Sequence, residues 1–566
     1  MKQLIECVPN FSEGRNPITL EILAETIRQT EGVRLLNVDP GKATNRTVFT
    51  FVGEPADVVE AAFRAIQKAT ELIDMSKHKG EHPRFGATDV CPLVPIANIS
   101  LEETADWARR LAKRVGEELK IPVYCYEAAA FSAKRKSLAE CRAGEYEGLE
   151  HKLLLPEWKP DFGPATWSSS VAKSGATAIG ARNFLIAYNI NLNTTSVRRA
   201  NSVAFDVREA GRTKREGDQL TGKIVTDENG EPLRIPGSLK SVRAIGWFIE
   251  EYGIAQISMN LTDISVTPLH QAFDEVCTKA ALRGLRVTGS ELVGLVPLDA
   301  ILSAGRYFLR KQQRSEGVSD SELIKIAVKS MGLDELTPFE PQKRIIEYML
   351  KDELAGKSLL DYTLREFIEE TASESAAPGG GSVAALAGAL GASLGGMVAN
   401  LSAHKRGWDE HWETFSEWAV KAKEYYKALL SCVDEDTAAF NQLMDCYGMP
   451  KSTPGEKQIR QKAIQEATHQ TIQVPLKVMQ LAYASMEVML AMAQIGNPNS
   501  ISDAGVGAIC ARAAVRGAWM NVRINLPGIT NEEDREAYLS EAAEIAAKTQ
   551  LLEDEILSLV DEKLEY

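Results

Sequence analysis

Cysteine and histidine are scarce in this chain, and their scarcity excludes the simplest metal and disulfide chemistries. Its 566 residues include eight cysteines, Cys7, Cys91, Cys125, Cys141, Cys277, Cys432, Cys446 and Cys510. No two form a CxxC pair and no spacing suggests a zinc site or a disulfide framework, so they read as reduced thiols, mostly in the core. An excess of positive charge is also lacking: 64 Lys plus Arg stand against 78 Asp plus Glu, a net charge of -14. Such a chain repels nucleic acid and anionic membrane at long range. The N-terminus, MKQLIECVPNFSEGRN, reaches Glu6 and Glu13 with no apolar run between them, which argues against a signal peptide and for a cytoplasmic location. One uncharged stretch, 383–402, is long enough to span a bilayer. It is mainly Ala and Gly, carries Ser393, Asn400 and Ser402, and has too few Leu, Ile or Phe for strong insertion, so it reads as a buried, closely packed helix. No internal repeat of about 20 to 50 residues is apparent, which argues against a solenoid.

What remains is an ordinary globular composition, 44% hydrophobic and 25% charged, long enough for three or four compact units. Over the first 330 residues, β-branched or apolar runs such as VRLLNVD (33–39), RTVFTFVG (46–53), IPVYCYE (121–127), FLIAYNINL (184–192) and AQISMNLTD (255–263) alternate with helical patterns such as 55–73. The stretch 156–180, rich in Pro, Gly, Ser and Thr, separates two groups of these elements and reads as both linker and site loop. A second change falls between Met331 and Tyr362, and from Leu364 onward helix formers dominate. The expected fold is therefore α/β, with two α/β sandwich-like subdomains, followed by an all-α helical domain.

Five places could carry chemistry. His82 lies in a loop marked by Gly80, Pro83 and Gly86 that leads into an apolar strand. An imidazole there could move a proton in both directions near neutral pH; the competing reading is a surface histidine bonded to nearby backbone. His78 reads as solvated. Asp39, at a strand end before Pro-Gly, could orient an imidazole or simply form a turn. Three glycines, Gly379, Gly380 and Gly381, run into Ser382 and a helix, presenting backbone N–H groups suited to a carboxylate or phosphate. Beyond them Gly381, Ala385, Gly388, Ala392 and Gly395 follow helical spacing, giving a face for another helix or a flat ring system. In the helical pattern 424–444, Tyr425, Leu429, Cys432, Asp436, Phe440 and Leu443 share a stripe that buries Asp436 while Asp434 points elsewhere. Asp436 is then either a carboxylate tuned for proton transfer or the partner of a core arginine such as Arg512 or Arg516. Asp503 reads as an N-cap.

Taken together, ECVPNFSEGRN, DPGKATNRTVFTFVG, GEHPRFGATDVCPLVP, GARNFLIAYNINL and GSELVGLVP in the first part, with TLREFIEE, SAAPGGGSVAA, VDEDTAAF and NVRINLPGITN in the second, resemble the bifunctional formimidoyltransferase-cyclodeaminases of histidine degradation. The resemblance spans essentially the whole chain. It implies a transferase N-subdomain over 1–180, a C-subdomain over 181–330, a linker over 331–360 and a cyclodeaminase over 361–566. It implies transfer of the formimidoyl group of N-formimidoylglutamate to N5 of tetrahydrofolate, then closure to 5,10-methenyltetrahydrofolate with loss of ammonia. By the same resemblance His82 and Asp436 are the catalytic groups and Asp39 an orienter. Folate lies along Gly163, Pro164, Ala165, Thr166, Trp167, Ser168, Ser169, Ser170, Val171 and Ala172. For the substrate carboxylates, Arg46, Arg84, Arg182, Arg208 and Arg212 are available, Arg182 foremost. The family also implies a homo-oligomer, tetrahydrofolate as a polyglutamylated co-substrate, no metal, and neither nucleic acid nor membrane as partner. RTKRE (212–216) and HKRGW (404–408) are the candidate basic patches, the role of 404–412 staying open. The alternative keeps the folds but moves a formyl group, with a cyclohydrolase-like or purely scaffolding helical domain.

Overall fold

The computed structural model describes residues 3–41, 45–80, 84–217, 222–250, 252–349, 358–375 and 377–564. They fall into two compact units, one of Met1–Pro297 with Arg344–Ile346, the other of Leu298–Lys343 with Glu347–Tyr566. The division comes earlier in the chain than the Pro-rich stretch after Met331 suggests.

The first unit holds two large sheets, besides a two-stranded ribbon of Arg212–Thr213 with Arg234–Ile235. Strands β1 (Leu4–Cys7), β2 (Asn10–Phe11), β3 (Val33–Gly41), β4 (Arg46–Gly53), β5 (Thr88–Ala97), β6 (Val123–Glu127) and β7 (Thr177–Ala181) form a seven-stranded sheet. Its first five strands pair antiparallel, whereas β5, β7 and β6 run parallel. Alternation explains its two faces. Ile5, Cys7, Phe49, Phe51, Leu93, Cys125 and Ile179 meet the apolar stripes of α1 (Pro17–Arg28), α2 (Pro55–Leu72) and α3 (Leu101–Glu118). On the other side Tyr124, Tyr126 and Ala178 join a smaller core with Phe85, Leu149 and Trp158. A four-stranded antiparallel sheet follows, built from β8 (Ile186–Leu192), β9 (Val242–Ile249), β10 (Ile254–Leu261) and β11 (Val287–Val293) in the order β9-β10-β8-β11. Helix α4 (Val197–Val207) packs on β9 and β10 and against α5 (Leu269–Ala281).

The second unit is helical: α6 (Leu298–Lys311), α7 (Asp320–Met331), α8 (Leu364–Thr371), α9 (Gly380–Ala403), α10 (Trp412–Gly448), α11 (Pro454–Ile495), α12 (Ile501–Asn525) and α13 (Glu532–Leu564). Capping boxes start α8 (Thr363, Glu366) and α11 (Thr453, Glu456). Both α9 and α11 are long and apolar enough to cross a membrane, and both are mostly buried within this unit. The small-residue stripe of α9 receives other helices rather than a ring system. A Cβ on Gly388 would sit 3.2 Å from Ala514, one on Gly391 only 2.6 Å from the Gly507 carbonyl, and one on Gly395 3.2 Å from Val488.

Candidate active sites

In the α/β unit, Glu81, His82 and Pro83 lie outside the described residues, so the imidazole singled out in the sequence has no described geometry. Its flanks are well defined. His78, expected to be solvated, is half-buried: Nε2 lies 2.9 Å from the Asn45 carbonyl, while Nδ1 makes no hydrogen bond among the described residues. Asn45, in the left-handed region at φ 50, also accepts from Gly14 N–H at 3.0 Å and donates to the Lys79 carbonyl at 2.9 Å. On the other flank Arg84 is fully engaged. It donates to Met75 O at 2.9 Å, to His78 O and to Glu147 at 2.7 Å, and its guanidinium lies 4.7 Å from the Tyr146 ring centre. Tyr146 in turn faces Trp167 at 6.0 Å and donates to the Ala172 carbonyl.

Thus the segment 163–172 is brought, through Tyr146, near Arg84. Gly163, at φ 84, could not bear a Cβ, which would fall 2.0 Å from the Ile121 carbonyl. Ser168 caps the short turn Ser169–Ser174 by accepting from Val171 N–H, Gly86 bridges to Gly175, and Met75 N–H donates to Lys173 O at 2.9 Å. Pro164, Ala165 and Trp167 are half-buried; Thr166, Ser169 and Ser170 are exposed. The Pro40-Gly41 pair after Asp39 is strand and not the expected turn. Asp39, Pro40 and Gly41 are the last residues of β3, Asp39 pairing with Val48 and exposed to solvent.

A cavity of about 720 Å³ opens between the ends of the two sheets, lined by Tyr126, Glu127, Arg142, Arg182, Arg243 and Asp263 among others. Of the expected site residues only Arg182 lines it; Gly163 to Ala172 do not. Arg208 and Arg212 are structural instead. Arg208 donates to the Gly211 carbonyl, and buried Arg212 pairs with Asp206, which also binds Arg283. Arg46 and Arg142 both reach buried Asp89, each at 3.1 Å. Burial pushes the Glu127 carboxyl up, offset in part by Arg182 and Arg243. Burial alone would raise Asp263 too, yet hydrogen bonds from Ser265 and Asn183 hold it below its ordinary value. On the sheet face beside Arg182, Glu6 is buried and pushed up to about 7 by loss of hydration. Arg142 and Arg243 carry no motif that sequence reading could have isolated.

In the helical unit the triple glycine and the buried stripe converge. Gly379 is the N-cap of α9. A Cβ on Gly381 would fall 2.1 Å from the Asp436 carboxylate, so only glycine lets that carboxylate reach the helix start. Gly380 faces the Asn521 amide, a residue the sequence reading left within its motif unremarked. Ser382 Oγ, fully buried, lies 2.9 Å from the Val433 carbonyl and 3.3 Å from both Asp436 and Thr437. Burial raises the Asp436 carboxyl, opposed only by the Ser382 hydroxyl and N–H. Arg512, one of the arginines considered as its partner, instead binds the Ala546 carbonyl, Gln550 and Glu553, and the charge of the other, Arg516, acts on Glu553. Asp434 turns the other way, accepting from Ser358 Oγ at 2.6 Å and Leu359 N–H at 2.8 Å. Asp503 is not an N-cap; Ser500 holds that position and Asp503 sits in the first turn of α12. A half-buried carboxylate with a raised pKa at a helix N-terminus is suited to take and return a proton.

Comparison with known proteins covers both units. Family models described as "Formiminotransferase domain, N-terminal subdomain", "Formiminotransferase domain" and "Formiminotransferase-cyclodeaminase" match residues 4–182, 187–351 and 363–544. The chain is 44% identical to the formimidoyltransferase-cyclodeaminase of Mus musculus over 95% of each protein. It is 40% identical to the glutamate formimidoyltransferase of Thermoplasma acidophilum, covering 56% of this chain and 95% of that one. It is 34% identical to the methenyltetrahydrofolate cyclohydrolase of Methylorubrum extorquens, covering 36% of this chain and 97% of that one.

Proposed function

The chain belongs to the formimidoyltransferase-cyclodeaminase family, and from that premise we propose that its two units carry out successive steps on tetrahydrofolate. The α/β unit moves the formimidoyl group of N-formimidoylglutamate to N5, and the helical unit closes the product to 5,10-methenyltetrahydrofolate, releasing ammonia. In the first step N5 attacks the amidine carbon, and the glutamate nitrogen takes a proton as its bond to that carbon breaks. His82 carries this proton, with Asp39 as orienter. Arg142, Arg182 and Arg243 in the cleft suit the carboxylates of the donor and of folate, because guanidinium binds carboxylate bidentately.

In the second step N10 attacks the same carbon, its proton passes to Asp436, and the departing nitrogen leaves as ammonia once protonated. The observation that carries this reading is the Asp436 carboxyl, raised by burial at the start of α9 with no cation against it among the described residues. An unperturbed Asp would be too weak a base and, at neutral pH, too rarely an acid.

The finer readings have their own support. Apolar residues exposed on α9 (Val383, Leu390, Met397, Leu401) and α12 (Val506, Ile509, Met520, Ile524) favour a homo-oligomer. Eight free thiols favour a reducing, cytoplasmic location. A polyglutamylated folate fits the cationic cleft. The test is to mix the protein with tetrahydrofolate and N-formimidoylglutamate and follow methenylfolate absorbance and free ammonia together. Both signals should rise. Formimidoylfolate without ammonia would reduce the helical unit to a scaffold, and turnover of N-formylglutamate alone would replace the donor.

A further inference from the structure

Lys152 is buried, 5% exposed, a rare state for lysine without a carboxylate partner. Its ammonium donates to three backbone carbonyls, Glu140 at 3.3 Å, Cys141 at 2.6 Å and Ala143 at 3.1 Å, which uses all three of its protons. Around the same nitrogen stand the rings of Trp158, Tyr124 and Phe85, with centres 4.1, 5.4 and 5.6 Å away. Those carbonyls belong to the end and exit of the short helix Leu138–Arg142; the Glu140 carbonyl also accepts from Ala143 N–H at 3.2 Å, whereas those of Cys141 and Ala143 lie past the last intrahelical donor. The Cys141 and Ala143 carbonyls bracket Arg142, whose guanidinium reaches Asp89 at 3.1 Å and lines the cleft with Arg182 and Arg243. Phe85 of this cage directly follows Arg84, which binds Glu147 and lies over the Tyr146 ring.

We propose that Lys152 is a positioning residue of the transferase, whose ammonium group fixes the turn that aims Arg142 at a substrate carboxylate. This rests on the reading of the cleft as the substrate site. Removing the ammonium leaves the buried Cys141 carbonyl without its donor, and the turn can satisfy it only by moving. Burial holds the Lys152 ammonium down at about 8, so the hold weakens in mild alkali, when two N–H groups must serve three carbonyls. The other ionisable groups facing it are Lys134, Arg135, Glu140, Cys141 and Tyr124. Burial raises the Cys141 thiol to about 11 and the Tyr124 phenol further, so neither titrates with it.

The test uses the full chain and the KM for N-formimidoylglutamate, which does not depend on the fraction of molecules folded. Lys152→Met should raise this KM about tenfold, and should add little in an Arg142→Gln background. An unchanged KM in Lys152→Met, or effects of the two substitutions that simply multiply, would overturn the assignment. If Arg142→Gln leaves KM unaltered while Lys152→Met raises it, the route through Arg142 is wrong. Where Lys152→Met does not fold, the unsubstituted chain carries the test: its KM should climb as pH passes about 8, and the climb should vanish in Arg142→Gln. A KM flat from pH 7 to 9 defeats the proposal. No transfer at all by the unsubstituted chain would remove the functional reading itself, a result separable from these.

Discussion

Buried carboxylates meet two kinds of partner in this molecule, and the contrast is sharpest between Asp89 of the α/β unit and Asp436 of the helical unit. In the α/β unit, Asp89 is met by Arg46 and Arg142, and Asp206 by Arg212 and Arg283. In the helical unit, Asp436 meets a serine hydroxyl and a helix N–H, and its pKa rises. Fold class is not the cause, because the helical unit also holds Asp320 between Lys423 and Lys427, and that carboxyl is kept low. What differs is the partner. A cation offsets lost hydration and keeps a carboxylate charged as architecture; a hydroxyl leaves the proton affinity high enough for chemistry.

The largest test of that contrast is Asp436→Asn. It should lower ammonia release by about 10²- to 10⁴-fold while leaving formimidoyl transfer intact, so that 5-formimidoyltetrahydrofolate accumulates; His82→Ala should do the reverse. Normal ammonia release by the asparagine variant would make the burial of Asp436 architectural after all.

Glu6 gives a smaller effect with a defined sign. Its carboxyl is raised from 4.5 to about 7, so between these values the folded chain holds a proton that the unfolded chain has lost. Stability of the α/β unit from this group is therefore present below pH 4.5 and lost as pH rises through 7, a difference of about 3 kcal/mol. Denaturant titrations of Glu6→Gln at pH 5 and 7.5 should show that loss removed. An unchanged pH slope would mean that Arg182 compensates the charge fully.

The smallest effect belongs to Asp434, two residues from Asp436 but turned to cap Ser358 and Leu359. Asp434→Ala should cost about 1 kcal/mol of helical-unit stability and leave ammonia release unaltered. A large catalytic loss would extend the cyclodeaminase site to this residue.

Much of the architecture was legible because periodicity reports burial directly. Alternating runs became strands, the small-residue stripe became the packed face of α9, and the stripe through Leu429, Cys432 and Leu443 was buried. The candidate sites were legible only in part. Asp436 and the glycines converge because a helical spacing of three and four already placed them on facing surfaces. His78 was misjudged because its anchor, Asn45, lies 33 residues away, and the Pro-Gly after Asp39 continues an edge strand where an isolated turn rule expects a bend.

Composition and spacing by themselves determined the class of each half, the scarcity of metal-type ligands and the stripe that carries Asp436, because all of these depend on neighbours within a few turns of the chain. Only the tertiary structure decided which charge each arginine meets, with Arg84 held by Glu147, Arg212 by Asp206, and Arg142 brought both to Asp89, 53 residues away along the chain, and to the cleft. It also decided that Asp436 meets no cation among the described residues. Charge pairing acts over a few ångströms of space irrespective of sequence separation, so a residue's charge is visible in the sequence but its counter-charge is not.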